Sequence, residues 1–156
     1  MKSKLVLALT LAGATTASLA GPTEDQIRFR QSAYSFAAWS LGKVKAQVVT
    51  KPETYNKEQV AAAANAIAAI ANSGLGALYG TGTDQGIGWQ KTRLKPEFFQ
   101  KTDDAKKLGE AFIKESNELA KVAQTGDIAA IKEQFGKTSE TCKSCHDAFR
   151  LKDVAE

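Results

Sequence analysis

Apolar and small side chains recur at alternating three- and four-residue steps in the C-terminal part of the chain, and this spacing predicts an amphipathic α-helix. The stripe is formed by Ile128, Ile131, Phe135, Thr138, Cys142, Cys145 and Phe149. It includes both cysteines of the 156-residue chain. The two thiols therefore share the helix face that packs into the interior, and whatever they bind is expected to lie inside the folded protein.

The two cysteines belong to the run Cys142-Lys143-Ser144-Cys145-His146, which contains every cysteine and histidine of the sequence. This spacing is the attachment signature of c-type haem, in which two thiols add to the haem vinyl groups and the histidine ligates the iron. On a helix, the two sulfurs and the imidazole project together toward one planar ligand. We therefore predict one haem c per chain, bound covalently through Cys142 and Cys145, with His146 as the iron ligand.

Three other functions of a Cys-x-x-Cys pair are less consistent with this sequence. A thioredoxin-like redox site normally lies where a strand meets a helix, and no segment here has the pattern of a strand. A disulfide between residues three apart on one helix closes a very small loop and adds little stability. A zinc site needs a fourth donor or an open position with supporting residues, and the chain has no further cysteine or histidine.

The N-terminal segment has the features of a secretory signal peptide. Lys2 and Lys4 form a short basic head, and residues 5–12 are an apolar run followed by small residues. We predict cleavage after Ala20, which leaves a haem domain of residues 21–156 in the periplasm. The alternative is an uncleaved N-terminal anchor, although the apolar run is shorter than the roughly 20 residues that span a bilayer.

Cleavage would also remove Met1, the only methionine, and the mature chain would have no histidine besides His146. Methionine and histidine are the usual second axial ligands of a haem iron. Lysine, tyrosine or the new N-terminal amine would remain, and each is an uncommon choice. We therefore expect a five-coordinate iron with one vacant face.

The charged residues are interspersed as on an ordinary solvated surface. The chain has 21 basic and 17 acidic residues, for a formal net charge of +4. This distribution predicts binding neither to nucleic acid nor to an anionic membrane.

Four segments with helical periodicity are separated by stretches that contain glycine and proline. The predicted helices span about residues 23–50, 57–71, 102–124 and 128–152, with residues 74–96 as a glycine-rich loop. The sequence thus predicts an all-α fold, an antiparallel four-helix bundle that encloses the covalently attached haem.

Capping residues mark three of the helix starts. Thr23 and Gln26 have the spacing of a capping box at the first helix. Asn56 and Gln59 repeat that spacing at the second helix, and Asp127 is the predicted N-cap of the fourth.

The inward stripe of the first helix contains an arginine. The stripe is formed by Ile27, Arg30, Tyr34, Ala37, Leu41, Val44 and Val48. Because an unpaired guanidinium is costly to bury, Arg30 requires an anion, and a haem propionate suits its bidentate geometry. Two alternatives are that Arg30 extends off the end of the bundle into solvent, or that it pairs with Glu115 on the third helix.

A second stripe of the first helix faces away from the first and contains Phe29, Ala33, Phe36 and Ser40. The second helix is rich in alanine on nearly every side, which would let a partner approach closely. A dimer interface formed by these two helices is one interpretation, and close packing within the bundle is the other.

Three segments of the sequence resemble cytochrome c′, a family of exported four-helix haem proteins of bacteria. The most specific is Cys-Lys-Ser-Cys-His-Asp-Ala-Phe-Arg at residues 142–150; the others are Arg-Gln-Ser-Ala at residues 30–33 and Tyr-Gly-Thr-Gly-Thr at residues 79–83. The resemblance implies a homodimer of antiparallel bundles with a high-spin, five-coordinate iron that binds nitric oxide and carbon monoxide. It also implies a role in nitric-oxide handling or electron transfer.

The resemblance further implies roles for individual residues. His146 would be the proximal iron ligand, with Arg150 beside the proximal face. Arg30, and more weakly Gln31, would contact a haem propionate. Tyr34 would cap the vacant iron face, where many relatives have an aliphatic residue or phenylalanine.

Tyr79 and Phe112 match aromatic positions that line the haem pocket in the family.

We hypothesise that the Tyr34 phenol leaves no room for a resting water ligand but is displaced by a diatomic ligand. A neutral phenol, with a pKa near 10, is a poor iron ligand. The alternative is that Tyr34 only packs in the core.

Two other functions compete with ligand binding. A dedicated electron-transfer cytochrome with a low-spin haem is the main alternative, although such a carrier usually has methionine or histidine at the second axial position. A peroxidase would need a distal histidine or a comparable acid–base group, and this chain offers only Tyr34 and arginines. We predict a protein that is not an enzyme, with an unidentified redox protein among its partners.

Overall fold

The computed structural model describes residues 23–152, so the predicted signal peptide and its cleavage after Ala20 lie outside the described residues. Four α-helices in this part of the chain are α1 (Thr23–Lys45), α2 (Lys57–Ala71), α3 (Thr102–Thr125) and α4 (Ile128–Phe149). Each helix packs most extensively against its neighbour in sequence, and α4 closes the bundle against α1. The predicted all-α four-helix bundle is confirmed. Between residues 23 and 152, no helix is long and apolar enough to cross a membrane.

The first helix ends in a wider turn. Residues Ala46–Thr50 continue α1 as a π-helical turn, in which the Lys51 amide donates to the Ala46 carbonyl 2.8 Å away. Pro52 then begins a short 3₁₀ turn, because its ring cannot extend the preceding hydrogen-bond pattern. The predicted end of the first helix near residue 50 is therefore confirmed.

The fourth helix ends at Phe149 rather than near residue 152 as predicted. Arg150 has extended backbone (φ −112°, ψ 129°) and pairs with Leu94 in an isolated β-bridge. The Lys95 amide donates to the Phe149 carbonyl over 2.9 Å. Backbone hydrogen bonds to the loop before α3 thus take the place of the last predicted helical turn. These bonds fix the loop to the end of α4 that carries His146.

The capping predictions for α2 and α4 are confirmed. The Asn56 side chain accepts from the Gln59 amide over 2.9 Å, and Asp127 accepts from two amides of the first turn of α4. The reciprocal part of the α2 cap comes from a residue that was not predicted. Gln47 accepts from the Asn56 amide (2.7 Å) and donates to the Gln59 side chain (3.0 Å), which joins the end of α1 to the start of α2.

Residues 72–101 connect α2 to α3 without a long helix or a strand, as the glycine-rich pattern predicted. Two short 3₁₀ turns, Leu75–Leu78 and Pro96–Phe99, lie within them. Gln26 does not serve the predicted capping box, because its side-chain oxygen accepts from the Gly80 amide 3.1 Å away. This bond instead fastens the loop to the first turns of α1.

The inward stripe of α1 is confirmed. Its members are buried except Tyr34 and Leu41, which are partly buried, and it packs on a core that includes Ile67, Leu119 and Ile131. The outward stripe is correct only in part. Phe29 and Phe36 are 59% and 52% exposed, but Ser40 is fully buried. Ser40 lies three residues after Ala37 and four before Val44, so it belongs to the buried face.

Candidate haem site

The two cysteine side chains lie partly buried on α4, and Cys142 packs against the hydrophobic core. Both are free thiols, so the disulfide considered from the sequence is not formed. Burial is the main cause that raises the pKa of each thiol, and the neighbouring Cys142 raises that of Cys145 further. Two unoxidised thiols on one helix face meet the requirement for thioether bonds, since each thiol adds its S–H across one haem vinyl group.

His146 lies on the last turn of α4, where its exposed side chain borders a solvent-open pocket. The other residues that line this pocket of about 240 Å³ are Arg93, Asp147, Arg150, Leu151 and Lys152. Partial desolvation, and then the charge of Arg93, lower the pKa of His146. The imidazole is therefore neutral at pH 7, as an iron ligand must be. The structure brings Arg150 and His146 to the same pocket.

Tyr34 lies on the side of α1 that faces the cysteines. Its hydroxyl accepts a hydrogen bond from the Tyr79 hydroxyl 3.1 Å away, and its ring centroid is 6.4 Å from that of Phe112. Burial raises the pKa of Tyr34; the bond from Tyr79 opposes this, and Cys145 and Cys142 add smaller increases. The aromatic residues expected around the haem are thus near one another, and the phenol stays neutral at pH 7.

Two side chains contact the ring of Tyr79. The guanidinium carbon of Arg30 lies 4.5 Å from the ring centroid, and Phe98 stacks 4.5 Å away with an interplanar angle of 16°. The Tyr79 ring is therefore in contact with a residue of α1 and a residue of the loop before α3. Burial raises the pKa of Tyr79 well above its usual value of 10.

The Arg30 side chain is only 6% exposed and is enclosed by the loop before α3. One terminal nitrogen donates to the Leu78 carbonyl (2.8 Å) and the Thr83 hydroxyl (3.0 Å). The other donates to the Thr83 carbonyl (2.8 Å) and the Thr92 hydroxyl (3.1 Å). Both alternatives for Arg30 are therefore wrong: it does not reach solvent, and it does not pair with Glu115, which accepts from α4 instead.

All four of these Arg30 acceptors are neutral. Within residues 23–152, no carboxylate lies within hydrogen-bond distance of Arg30, and its Nε–H takes no part in the four bonds. Burial lowers the pKa of Arg30, but a guanidinium remains charged at neutral pH. A buried cation with one donor to spare suits the carboxylate of a haem propionate, and that contact stays a prediction.

Gln31 fastens a hairpin, defined here as residues 86–92, to the outside of α1. Its side-chain nitrogen donates to the Gln90 carbonyl (2.9 Å), and its oxygen accepts from the amides of Trp89 (2.7 Å) and Gln90 (3.2 Å). Both ends of its amide are thus engaged. The contact of Gln31 with a propionate stays a prediction.

Sequence reasoning missed the contributions of Thr83, Thr92 and Phe98. All three lie in the connection between α2 and α3, whose residues show no periodicity from which an inward direction could be inferred. The sequence indicated their contacts only through the small and polar residues near the motif at 79–83, and such a composition is weak evidence for specific contacts. Their contacts depend on how the loop folds over α1, and that is set by tertiary structure.

The donor set fits haem c. Two free thiols and a neutral imidazole lie within five residues of α4, and the aromatic rings of Tyr34 on α1 and Phe112 on α3 contact each other. In the part of the chain that the structure describes, no group of three or more histidine, cysteine, aspartate or glutamate side chains could hold a metal ion. A four-helix bundle with this set of residues defines a c-type cytochrome of the four-helix class.

Known proteins are similar to this chain over nearly its whole described length. The family model of cytochrome c′ matches residues 25–150. A cytochrome c′ from Rhodocyclus tenuis is 55% identical over 134 residues, which cover 84% of this chain and 97% of the relative. The chain belongs to the cytochrome c′ family, and its cofactor is haem c attached through Cys142 and Cys145.

Solved structures agree with this assignment. A cytochrome c′ with an unusual ligand-controlled dimer dissociation is 51% identical, covers 87% of this chain and 100% of its own, and has a TM-score of 0.80. A nitric oxide complex of a variant cytochrome c′ from Alcaligenes xylosoxidans is 28% identical, covers 85% of this chain and 98% of its own, and has a TM-score of 0.74.

Proposed function

We propose that the protein binds nitric oxide and carbon monoxide at the vacant face of a five-coordinate haem. The observation that carries the proposal is the lack of a second common axial donor, since the sequence contains no histidine or methionine other than His146 and Met1. The nitric oxide complex of a related cytochrome c′ supports it. When bound, the haem iron supplies the centre to which a diatomic ligand attaches.

The chain's own residues have distinct proposed tasks on the proximal side. Cys142 and Cys145 hold the group on the inward face of α4, and His146 presents a neutral imidazole to the iron. Arg150 would lie beside the proximal face of the haem, next to the imidazole. The shared pocket of Arg150 and His146 supports this role.

Arg30 has the proposed task of orienting the haem from α1. Its buried charge and its remaining Nε–H would bind a propionate, and the four loop acceptors would fix the direction of the guanidinium. Gln31 would act beside it, directly on a propionate or by holding the hairpin of residues 86–92 that covers this end of α1.

Tyr34 would select the ligand on the other side of the haem. Its phenol would occupy space that a resting water molecule needs, and its contacts with Phe112 and Tyr79 support a crowded aromatic surrounding. Because burial raises the pKa of Tyr34, the phenol is neutral at pH 7 and would shield the iron without ligating it. A small uncharged diatomic ligand can push the ring aside without losing much solvation, whereas an anion would have to be desolvated.

The protein is further proposed to be exported to the periplasm, to lack enzymatic activity and to form a homodimer. Phe29, Phe36 and Trp39 are all more than half exposed on α1, and a related cytochrome c′ has a dimer that ligands dissociate. An additional outer-sphere exchange of electrons with a redox protein is proposed as well. Nitric-oxide handling and electron transfer are compatible, because neither requires a second axial side chain.

The test is the rate of carbon monoxide binding to the ferrous holoprotein by stopped-flow spectroscopy. Tyr34→Ala is expected to raise this rate by about tenfold or more, since it removes the side chain that the ligand must displace. Tyr55→Ala is the matched control, because Tyr55 lies beyond the far end of α1 and packs on the core. An unchanged rate in Tyr34→Ala would show that Tyr34 does not control access to the iron.

A further inference from the structure

The hydroxyl of Tyr34 has one hydrogen-bond partner among the described residues, the hydroxyl of Tyr79 at 3.1 Å. The rest of the Tyr34 ring makes aromatic contact with Phe112 in a tilted arrangement, which does not fix the direction of the phenol oxygen. The orientation of the Tyr34 side chain therefore depends on where the Tyr79 hydroxyl is held.

Tyr79 is held rigidly. Arg30 and Phe98 both contact its ring, each 4.5 Å from the centroid. Arg30 is itself fixed by four hydrogen bonds to the loop, and Phe98 packs edge-on against Phe149 at the end of α4, with ring centroids 5.3 Å apart. The donor to Tyr34 is thus anchored both to α1 and to the helix that carries the haem-attachment residues.

We propose that Tyr79 is a positioning residue whose hydroxyl holds the Tyr34 phenol over the vacant iron face, so that an entering diatomic ligand must break the Tyr79–Tyr34 hydrogen bond. This inference rests on the proposed function of Tyr34. The bond lies in a partly buried position, so water replaces it only in part while the ring moves. The hydrogen bond therefore adds to the barrier for ligand binding.

The test is a double-mutant cycle on carbon monoxide binding to the ferrous holoprotein. Tyr79→Phe and Tyr34→Phe each remove one hydroxyl of the bond and keep both rings, and each is expected to speed binding by about two- to tenfold. The double variant is expected to bind no faster than the faster single variant, because one bond is lost in all three. Effects that multiply, or an unchanged rate in Tyr79→Phe, would overturn the proposal.

Tyr55→Phe is the matched control, since the buried Tyr55 hydroxyl has no hydrogen-bond partner among the described residues and its loss should leave the rate unchanged. The haem absorption spectrum and the helical circular dichroism of each variant report whether the fold is retained. If Tyr79→Phe does not fold, Tyr34→Phe alone remains decisive, because an unchanged rate there excludes any role of the hydrogen bond. Tyr34→Ala could bind carbon monoxide faster while Tyr34→Phe binds at the original rate. That result would show that the Tyr34 ring controls access to the iron and that Tyr79 does not position it.

Discussion

Replacing Gly88 by alanine is expected to detach the hairpin of residues 86–92 from α1. A Cβ at residue 88 would lie 2.7 Å from the backbone nitrogen of Arg28, 2.9 Å from its Cα, and 2.7 Å from the side-chain oxygen of Gln31. Helix backbone cannot move by the distance needed to relieve such contacts without breaking its own hydrogen bonds. The hairpin must therefore shift outward.

The magnitude follows from the bonds that the shift would break. Gln31 makes three hydrogen bonds to the hairpin, and the Trp89 indole donates to the Ser32 hydroxyl over 2.7 Å. Each contributes about 1 kcal/mol, and water replaces part of this at an exposed site. We expect the free energy of unfolding to fall by about 2 kcal/mol, which lowers the Tm by about 8 °C in a domain of this size.

The assay is thermal unfolding of the holoprotein followed by circular dichroism. Gly136→Ala in α4 is the control, because nothing lies within 4 Å of the added Cβ and alanine favours a helix over glycine. That variant should be more stable than the original by about 0.5–1 kcal/mol. If Gly88→Ala is as stable as Gly136→Ala, the steric reasoning about the hairpin is refuted.

Three further predictions concern the core, a helix cap and pH. Leu119→Ala, at a fully buried site, should lower the free energy of unfolding in urea by about 3 kcal/mol, and a loss below about 1 kcal/mol would contradict the packing described. Asp127→Ala should cost about 1 kcal/mol in the same assay whereas Asp127→Asn retains most of the cap; equal losses would exclude capping. In the folded protein the pKa values of Tyr34 and Tyr79 are raised above the unfolded value of about 10. The two neutral phenols therefore contribute fully to the free energy of unfolding below pH 10, and this contribution is lost as the pH rises through their folded-state pKa values. Tyr34→Phe should therefore flatten the fall in stability above pH 10, and an unchanged slope would contradict this.

The helices and the attachment residues could be predicted because local patterns determine them. The three- and four-residue steps of α1 and α4 identified the buried faces, and the caps at Asn56 and Asp127 followed from short-range hydrogen bonding. The Cys-x-x-Cys-His spacing needs only one helical turn to bring its three side chains together. None of these inferences required knowledge of how distant segments meet.

The partners of Arg30 could not be predicted, because they depend on how distant segments of the chain meet. Its acceptors lie 48 to 62 residues away along the chain, in a loop with no periodic pattern. Gln26 and Gln31 also bind that loop, although the spacing of Gln26 predicted a capping role and the family resemblance implied a haem contact for Gln31. Polar side chains at the end of a helix have several possible partners, and the tertiary fold selects among them.

We propose that the iron bound by His146 has a vacant sixth position. The most direct measurement is the absorption spectrum of the reduced holoprotein before and after addition of carbon monoxide. The reduced holoprotein is expected to show a broad high-spin spectrum that converts to that of a carbon monoxide complex. Sharp low-spin bands that do not change with the gas would contradict it, and would mean that a second side chain ligates the iron of an electron-transfer cytochrome.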